Sequence, residues 1–291
     1  MPALEGMLVV DLSRYVPGPF ATRELLRLGA RVVAVEPPEG DPLRLVDPAW
    51  HGALNAGKES VVCDLRADPT LARALCLRAD VVVDGFRPGV TERLGLAGGE
   101  RTVWCAVTGF GSGGPHDQRV GHDLNYLGWA GVLERGGHPP VPVADYTGAF
   151  AAVRDILAAL LERGRTGRGA RVEVSMTDEA AQLYAPPILT GAAACYRVYE
   201  TAEGRGLTVA ALEPRFWRRF CELVGLPDLD GYAPALPELE ARLRERALDE
   251  WLELFDGEEV CAGPVAQRAA LTGEAPALGE HTAAWTAELT R

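Results

Sequence analysis

Short apolar runs alternate with amphipathic segments in the first third of the chain. Valine-rich runs predict buried strands at residues 7–12, 31–36, 60–63, 81–83 and 103–107. Helical periodicity lies between several of these runs, at residues 19–28, 70–78 and 91–94. Because strands here alternate with helices, the pattern predicts a Rossmann-like α/β fold with a parallel sheet.

The rest of the chain continues this pattern and then changes. Periodicity predicts helices at 123–134, 147–162 and 178–183, with a strand at 170–174. The composition shifts after Pro186 and Pro187. Residues 196–211 are predicted to form a hairpin that turns at Glu203 and Gly204, and helical patterns follow at 214–224 and 236–255. We therefore predict a large α/β domain over residues 1–187, a smaller, shortened α+β domain over 188–265, and a C-terminal segment over 266–291 that returns to the large domain.

Composition and charge exclude several classes of partner. The formal net charge is −12 and no stretch is strongly basic, so we expect no nucleic-acid partner. No apolar run reaches the length of a membrane span, and the first residues lack the pattern of a signal peptide. None of the 6 cysteines forms a Cys-x-x-Cys pair and most lie among apolar neighbours, so we expect buried free thiols in a cytoplasmic protein. No metal-ligand spacing occurs, so we expect no metal site.

Two polar islands carry the candidate chemistry. Residues 121–126 place His122 and Asp123 at a predicted helix start, and residues 144–148 place Asp145 at another. An imidazole and carboxylates are the groups that most often transfer protons near neutral pH. A purely structural alternative is that these residues cap their helices, with Thr147 as a second possible cap for the later one.

Motifs spread over nearly the whole chain, in a specific order, resemble one known superfamily. They lie at residues 4–12, 17–22, 28–30, 35–44, 55–60, 85–90 and 275–282. On these motifs the chain resembles the CaiB/BaiF superfamily of family III CoA-transferases and their racemase relatives. Gly121-His122-Asp123, the downstream Asp145, and Glu213 before Pro214 are similar to the α-methylacyl-CoA racemase branch.

The resemblance implies an acyl-CoA enzyme that interconverts (R)- and (S)-2-methylacyl-CoA by proton transfer. His122 and Asp145 would serve the two faces of the α-carbon, and Glu213 would orient His122. Asp123 is the fourth candidate catalytic residue, as part of an oxyanion site at its helix start or as a structural residue there. The CoA is part of the substrate, and no further cofactor is required. Residues expected to bind the CoA phosphates are Arg44, Lys58 and Arg87.

The resemblance leaves two alternatives and one departure. The first alternative is a CoA-transferase in which Asp123 attacks the thioester, and the second is a CoA-binding homologue without catalysis. The family also implies a homodimer in which the two chains interlock as linked rings. The departure is the short segment at 266–274, where family members carry a larger piece of the small domain, and it puts the interlocking in doubt.

Overall fold

The valine-rich runs form a six-stranded parallel sheet in the computed structural model, which describes residues 2–133, 137–234 and 236–290. The strands are β1 (Leu8–Asp11), β2 (Arg31–Glu36), β3 (Glu59–Val62), β4 (Val81–Asp84), β5 (Val103–Thr108) and β6 (Arg171–Ser175). Their order across the sheet is β3-β2-β1-β4-β5-β6. Because the order reverses between β1 and β4, a crevice opens at the carboxyl ends of these two strands, where α/β proteins of this topology bind ligands.

Helices cover both faces of this sheet. They are α1 (Pro17–Arg27), α2 (Leu43–Val46), α3 (Pro48–Asn55), α4 (Thr70–Arg78), α5 (Val90–Arg93), α6 (Asp123–Trp129), α7 (Val143–Thr166), α8 (Met176–Ala181) and the C-terminal α12 (Thr282–Leu289). Successive strand residues enter opposite cores: Val9 packs in the cluster that contains Leu25 and Ile156, and Val10 packs in the cluster that contains Leu75 and Trp285. The sheet is therefore buried on both faces, as the unbroken apolar runs predict.

A second unit spans Tyr184–Ala270, whereas Met1–Leu183 and Leu271–Arg291 form the first. It contains a three-stranded antiparallel sheet and three helices around a core that includes Trp217, Phe220 and Trp251. Its elements are a 3₁₀ turn (Pro187–Thr190), β7 (Tyr196–Glu200), β8 (Gly206–Ala210), α9 (Pro214–Val224), α10 (Pro237–Leu243), α11 (Leu248–Phe255) and β9 (Ala262–Pro264). The hairpin predicted at 196–211 is thus β7 and β8.

Three predicted helices differ from the structure, and the one at 147–162 runs four residues further at each end as α7 (Val143–Thr166). The pattern at 236–255 breaks into α10 and α11, because Glu250 Oε2 accepts the Ala247 main-chain N–H at 2.9 Å and the Trp251 indole donates to the Leu243 carbonyl at 3.0 Å. These two bonds restart the helix and satisfy the end of the preceding one. The helix predicted at 123–134 ends at Trp129, and residues 134–136 lie outside the described part of the chain.

The C-terminal segment packs along the outer edge of β3. The Ser60 main-chain N–H donates to His281 Nδ1 at 3.2 Å, and the Val62 main-chain N–H donates to Thr282 Oγ1 at 3.0 Å. These side chains satisfy main-chain groups that an edge strand otherwise exposes. Within the described ranges, no helix combines the length and apolar character that a membrane span requires.

Candidate active site

A cavity of about 300 Å³ lies at the carboxyl ends of the parallel strands. Its walls come from the segments that follow β1, β4 and β5, from the start of α6, from the first turn of α7 and from the first residue of α8. The lining residues are Leu12, Ser13, Arg14, Tyr15, Pro17, Gly18, Gly85, Phe86, Val107, Gly121, His122, Tyr126, Asp145 and Met176. We call this cavity the carboxylate cavity, after Asp145.

The turn between β1 and α1 is fixed from below by the buried Asp11. The Asp11 Oδ1 atom accepts the Ser13 main-chain N–H at 3.0 Å and also the Ser13 hydroxyl. Gly18 faces this pair so closely that a Cβ atom there would lie 1.8 Å from Ser13 Oγ. Tyr15 adopts a positive φ of 63°, and its main-chain N–H donates to Asp41 Oδ2 at 3.0 Å. The turn therefore has one well-defined conformation at the cavity wall.

His122 occupies the N-cap position of α6, at the cavity edge. Its main-chain N–H donates to Asn125 Oδ1 at 3.1 Å, and the Tyr126 hydroxyl donates to the carbonyl of Gly121. The Tyr15 ring stands edge-on to the imidazole, with 5.3 Å between ring centroids. These contacts fix the main chain at His122 and leave the imidazole exposed to a ligand.

Asp145 lies in the first turn of α7 and is not its N-cap residue, which is Pro142. The Asp145 main-chain N–H donates to Asp123 Oδ1 at 3.1 Å, so the starts of α6 and α7 are joined by a hydrogen bond. Burial, and then the nearby negative charge of Asp123, raises the pKa of the Asp145 carboxyl to about 7. Such a carboxyl accepts and donates a proton with similar ease at neutral pH.

A more open apolar cavity of about 430 Å³ borders the same helix start. His122 and Asp123 lie on its wall, together with Leu124, Trp50 and the proline-rich residues 138–142. His122 therefore lines two cavities, the carboxylate cavity with Asp145 and the more open apolar cavity.

Glu213 belongs to the second unit. It occupies the N-cap position of α9, where its main-chain carbonyl accepts the N–H groups of Phe216 at 3.0 Å and Trp217 at 3.1 Å. The structure thus brings together His122, Asp123 and Asp145 within the first unit, while the role of Glu213 stays a prediction.

An arginine-rich cavity of about 660 Å³ adjoins the carboxylate cavity. It shares Leu12, Arg14, Gly85 and Phe86 with that cavity, and its other cations are Arg66, Arg87 and Arg93. The motif at residues 85–90 predicted Arg87 as a phosphate-binding residue. The other three arginines of this cavity, Arg14, Arg66 and Arg93, have no distinguishing local pattern. The turns after β1, β3 and β4 bring them together, and that convergence is not visible along the chain.

The structure corrects the prediction for Lys58. Its side chain has no exposed surface, and its ammonium donates to Pro19 O at 2.9 Å, Thr22 Oγ1 at 2.8 Å and Asn55 Oδ1 at 2.9 Å. It also pairs with Asp11 Oδ2 at 3.3 Å. All donor positions of the ammonium are occupied within the protein, so Lys58 stabilises the fold beneath the β1–α1 turn and does not reach a CoA phosphate.

Arg44 also has a different role from the predicted one. Its Nε and Nη2 atoms donate to the two carboxylate oxygens of Glu36, each at 2.7 Å, and its guanidinium also donates to the Pro276 carbonyl. This bidentate pair fixes the segment after β2 against the C-terminal segment. Arg44 is absent from the walls of the arginine-rich cavity in the described part of the chain.

Comparisons with known proteins agree on one family. The model of CoA-transferase family III matches residues 4–281. Alpha-methylacyl-CoA racemase of Homo sapiens is 32% identical over 90% of this chain and 78% of its own length, and acetyl-CoA:oxalate CoA-transferase of Acetobacter aceti is 28% identical over 90% and 80%. A crystal structure of a CAIB/BAIF family protein from Brucella suis superimposes with a TM-score of 0.83 at 26% identity, covering 98% of both chains.

Proposed function

Because the chain belongs to CoA-transferase family III, a family of enzymes, we propose that it is an acyl-CoA racemase that interconverts (R)- and (S)-2-methylacyl-CoA. One observation carries the proposal: His122 and Asp145 line the same cavity, where burial and the charge of Asp123 raise the pKa of Asp145 to about 7. The 32% identity to a racemase supports the same reaction.

In the proposed reaction one of these two groups removes the α-proton of the thioester. The electron pair of the broken C–H bond moves into an enolate, and the other group then donates a proton to the opposite face of the carbon. Because Asp145 and His122 exchange roles between the two directions, both need proton affinities near the working pH. Glu213 is proposed to hydrogen-bond the imidazole and hold its tautomer.

The adjoining cavities are proposed to hold the rest of the substrate. We propose that Arg87, with the neighbouring Arg66 and Arg93, binds phosphates of the CoA moiety, since guanidinium groups pair with phosphate oxygens in bidentate geometry. The acyl chain is proposed to enter the apolar cavity beside His122. The reaction needs no cofactor beyond the CoA of the thioester. The homodimer and the cytoplasmic location remain predictions from the sequence.

The test is incorporation of solvent deuterium at Cα of 2-methylacyl-CoA thioesters of several chain lengths in D₂O. We expect exchange by the unchanged protein and a loss of about 10²–10⁴-fold in Asp145→Asn and His122→Gln. The control is Asp178→Asn, an exposed first-turn carboxylate of α8, which is expected to keep full exchange. Absence of exchange with every thioester would refute the racemase proposal.

CoA transfer is the second candidate, and the transferases among the relatives favour it. In that reaction the Asp123 carboxylate attacks the thioester carbonyl, CoA leaves as the thiolate, and a mixed anhydride forms. The CoA thiolate then attacks the Asp123 carbonyl of the anhydride, which releases the donor carboxylate and leaves an aspartyl-CoA thioester. The acceptor carboxylate attacks this thioester to form a second anhydride, and the CoA thiolate attacks its acceptor carbonyl, which gives the new acyl-CoA and restores the Asp123 carboxylate. Trapping the anhydride with hydroxylamine, together with transfer of CoA to an added dicarboxylic acid, would establish this activity in place of racemisation.

A further inference from the structure

The carboxylate of Asp123 lies beside Asp145, although 22 residues separate them in the chain. Asp123 is the first residue of α6, and Asp145 lies in the first turn of α7. The hydrogen bond from Asp145 N to Asp123 Oδ1 spans 3.1 Å and is the one side-chain contact with that main-chain N–H in the described residues. It uses an N–H that the first turn of a helix cannot satisfy internally.

The second effect of Asp123 is electrostatic. Two carboxyl groups at neighbouring helix starts disfavour each other's ionisation when they share a poorly solvated site. After burial, the charge of Asp123 is the other cause that raises the pKa of Asp145. The Tyr126 hydroxyl donates to the Gly121 carbonyl, and burial followed by the charges of Asp145 and Asp123 raises the pKa of Tyr126 to about 12, so it stays neutral.

The remaining groups around the cavity do not replace Asp123 in this role. His122 precedes it on α6, and Arg14 and Tyr15 stand on the β1–α1 turn. The residue of α8 at the cavity is Met176, which carries no charge. Asp123 is therefore the carboxylate that both accepts the main-chain N–H of Asp145 and lies near enough to raise the pKa of its side chain.

We propose that Asp123 is a positioning residue, which anchors the main chain at Asp145 and places a second negative charge beside that carboxyl. This inference rests on the proposed function of Asp145 as a proton carrier. It assigns Asp123 a task that differs from nucleophilic attack on the thioester, because the task requires its Oδ1 atom to stay bonded within the protein.

The test separates the hydrogen bond from the charge. Asp123→Asn keeps the Oδ1 acceptor and removes the charge, whereas Asp123→Ala removes both. The titration of Asp145 is followed by carbon-13 NMR of aspartate-labelled protein, and the signal is identified by its absence in Asp145→Asn. We expect the midpoint of Asp145 to move toward lower pH by about one unit in Asp123→Asn, while Asp178→Asn leaves it unchanged.

The same variants are then assayed for α-proton exchange across pH. In Asp123→Asn the limb of the profile that rises with ionisation of Asp145 is expected to move to lower pH by the same amount, with the maximal rate reduced less than about tenfold. In Asp123→Ala we expect the same movement and a deeper loss, of about tenfold or more, because the first turn of α7 is no longer anchored. If Asp123→Ala does not fold, Asp123→Asn is sufficient.

The NMR midpoint of Asp145 decides the inference. An unmoved midpoint in Asp123→Asn overturns it. Loss of all turnover in Asp123→Asn with an unmoved midpoint shows instead that Asp123 reacts directly with substrate. The NMR titration needs no turnover, so a protein that catalyses no exchange would refute the proposed function and still give an independent answer about Asp123.

Discussion

Replacement of Asp145 by Asn is expected to stabilise the protein at neutral pH while removing its proposed activity. The two side chains have the same shape, and the Asp145→Asn change keeps the main-chain N–H that donates to Asp123. What disappears is a carboxyl whose pKa the fold raises from 3.8 to about 7. The native state therefore holds this proton more tightly than the unfolded chain does.

The magnitude follows from proton linkage. Below pH 3.8 Asp145 is protonated in both the folded and the unfolded state, so it does not lower the free energy of unfolding. As pH rises from 3.8 to about 7 the unfolded chain ionises first, so the wild-type free energy of unfolding falls, and the loss levels off above pH 7. At 1.36 kcal/mol per pKa unit, the advantage of Asn is about 2 kcal/mol at pH 5 and about 4 kcal/mol at pH 8.5.

The assay is urea unfolding of both proteins at several pH values between 5 and 8.5. We expect the difference in free energy of unfolding to grow with pH and then become constant. Asp178→Asn should show a difference within about 0.5 kcal/mol at every pH. A difference that does not change with pH, or an Asn variant that is less stable than wild type at pH 8.5, would contradict the assignment of a raised pKa to Asp145.

Three further predictions concern buried groups and the cavity wall. Lys58 is the only lysine of the chain and is buried, so an amine-reactive ester should label only the terminal amine of the native protein. Lys58→Met should lower the free energy of unfolding by about 3–5 kcal/mol, because Asp11 then stays buried without its cation. Burial, followed by the charge of Arg44, lowers the pKa of His51 to about 4, so its NMR signals should not titrate between pH 8 and 5.5. As pH falls from 6.5 toward 4 the unfolded chain protonates this imidazole first, so His51 should lower the free energy of unfolding over that range. Gly18→Ala should lower the free energy of unfolding in urea by about 1–3 kcal/mol and slow α-proton exchange, because the new Cβ would overlap Ser13. Unchanged values in either assay would show that the turn relaxes freely.

Local pattern was sufficient for much of the fold. The valine-rich runs at 31–36 and 81–83 became strands β2 and β4, since β-branched side chains with no polar face suit a sheet buried on both sides. The hairpin at 196–211 followed from alternation around a Glu-Gly turn. Helix α9 had the predicted bounds, because Pro214 begins it and Gly225, with a φ of 78°, ends it.

Local pattern failed where distant groups decide the outcome. The start of α11 after the break combines the nearby Glu250–Ala247 bond with a distant one, in which Glu203 of the hairpin accepts the Leu248 main-chain N–H at 2.8 Å. The C-terminal helix α12 has little amphipathic pattern of its own, and it packs through Trp285 against the core beneath β3. Such contacts have no signature in a short window of residues.

The sequence alone predicted the six strands of the parallel sheet, the hairpin of the second unit and the presence of His122, Asp123 and Asp145 at helix starts, because periodicity and capping are properties of neighbouring residues. It did not predict β9 or the helices α2, α3 and α12. Tertiary structure decided which charges are available to a ligand. Lys58 resembles a phosphate contact along the chain, yet Asp11, 47 residues earlier, holds it in the core. The proton affinity of Asp145 likewise depends on burial and on Asp123, both consequences of how α6 and α7 pack together.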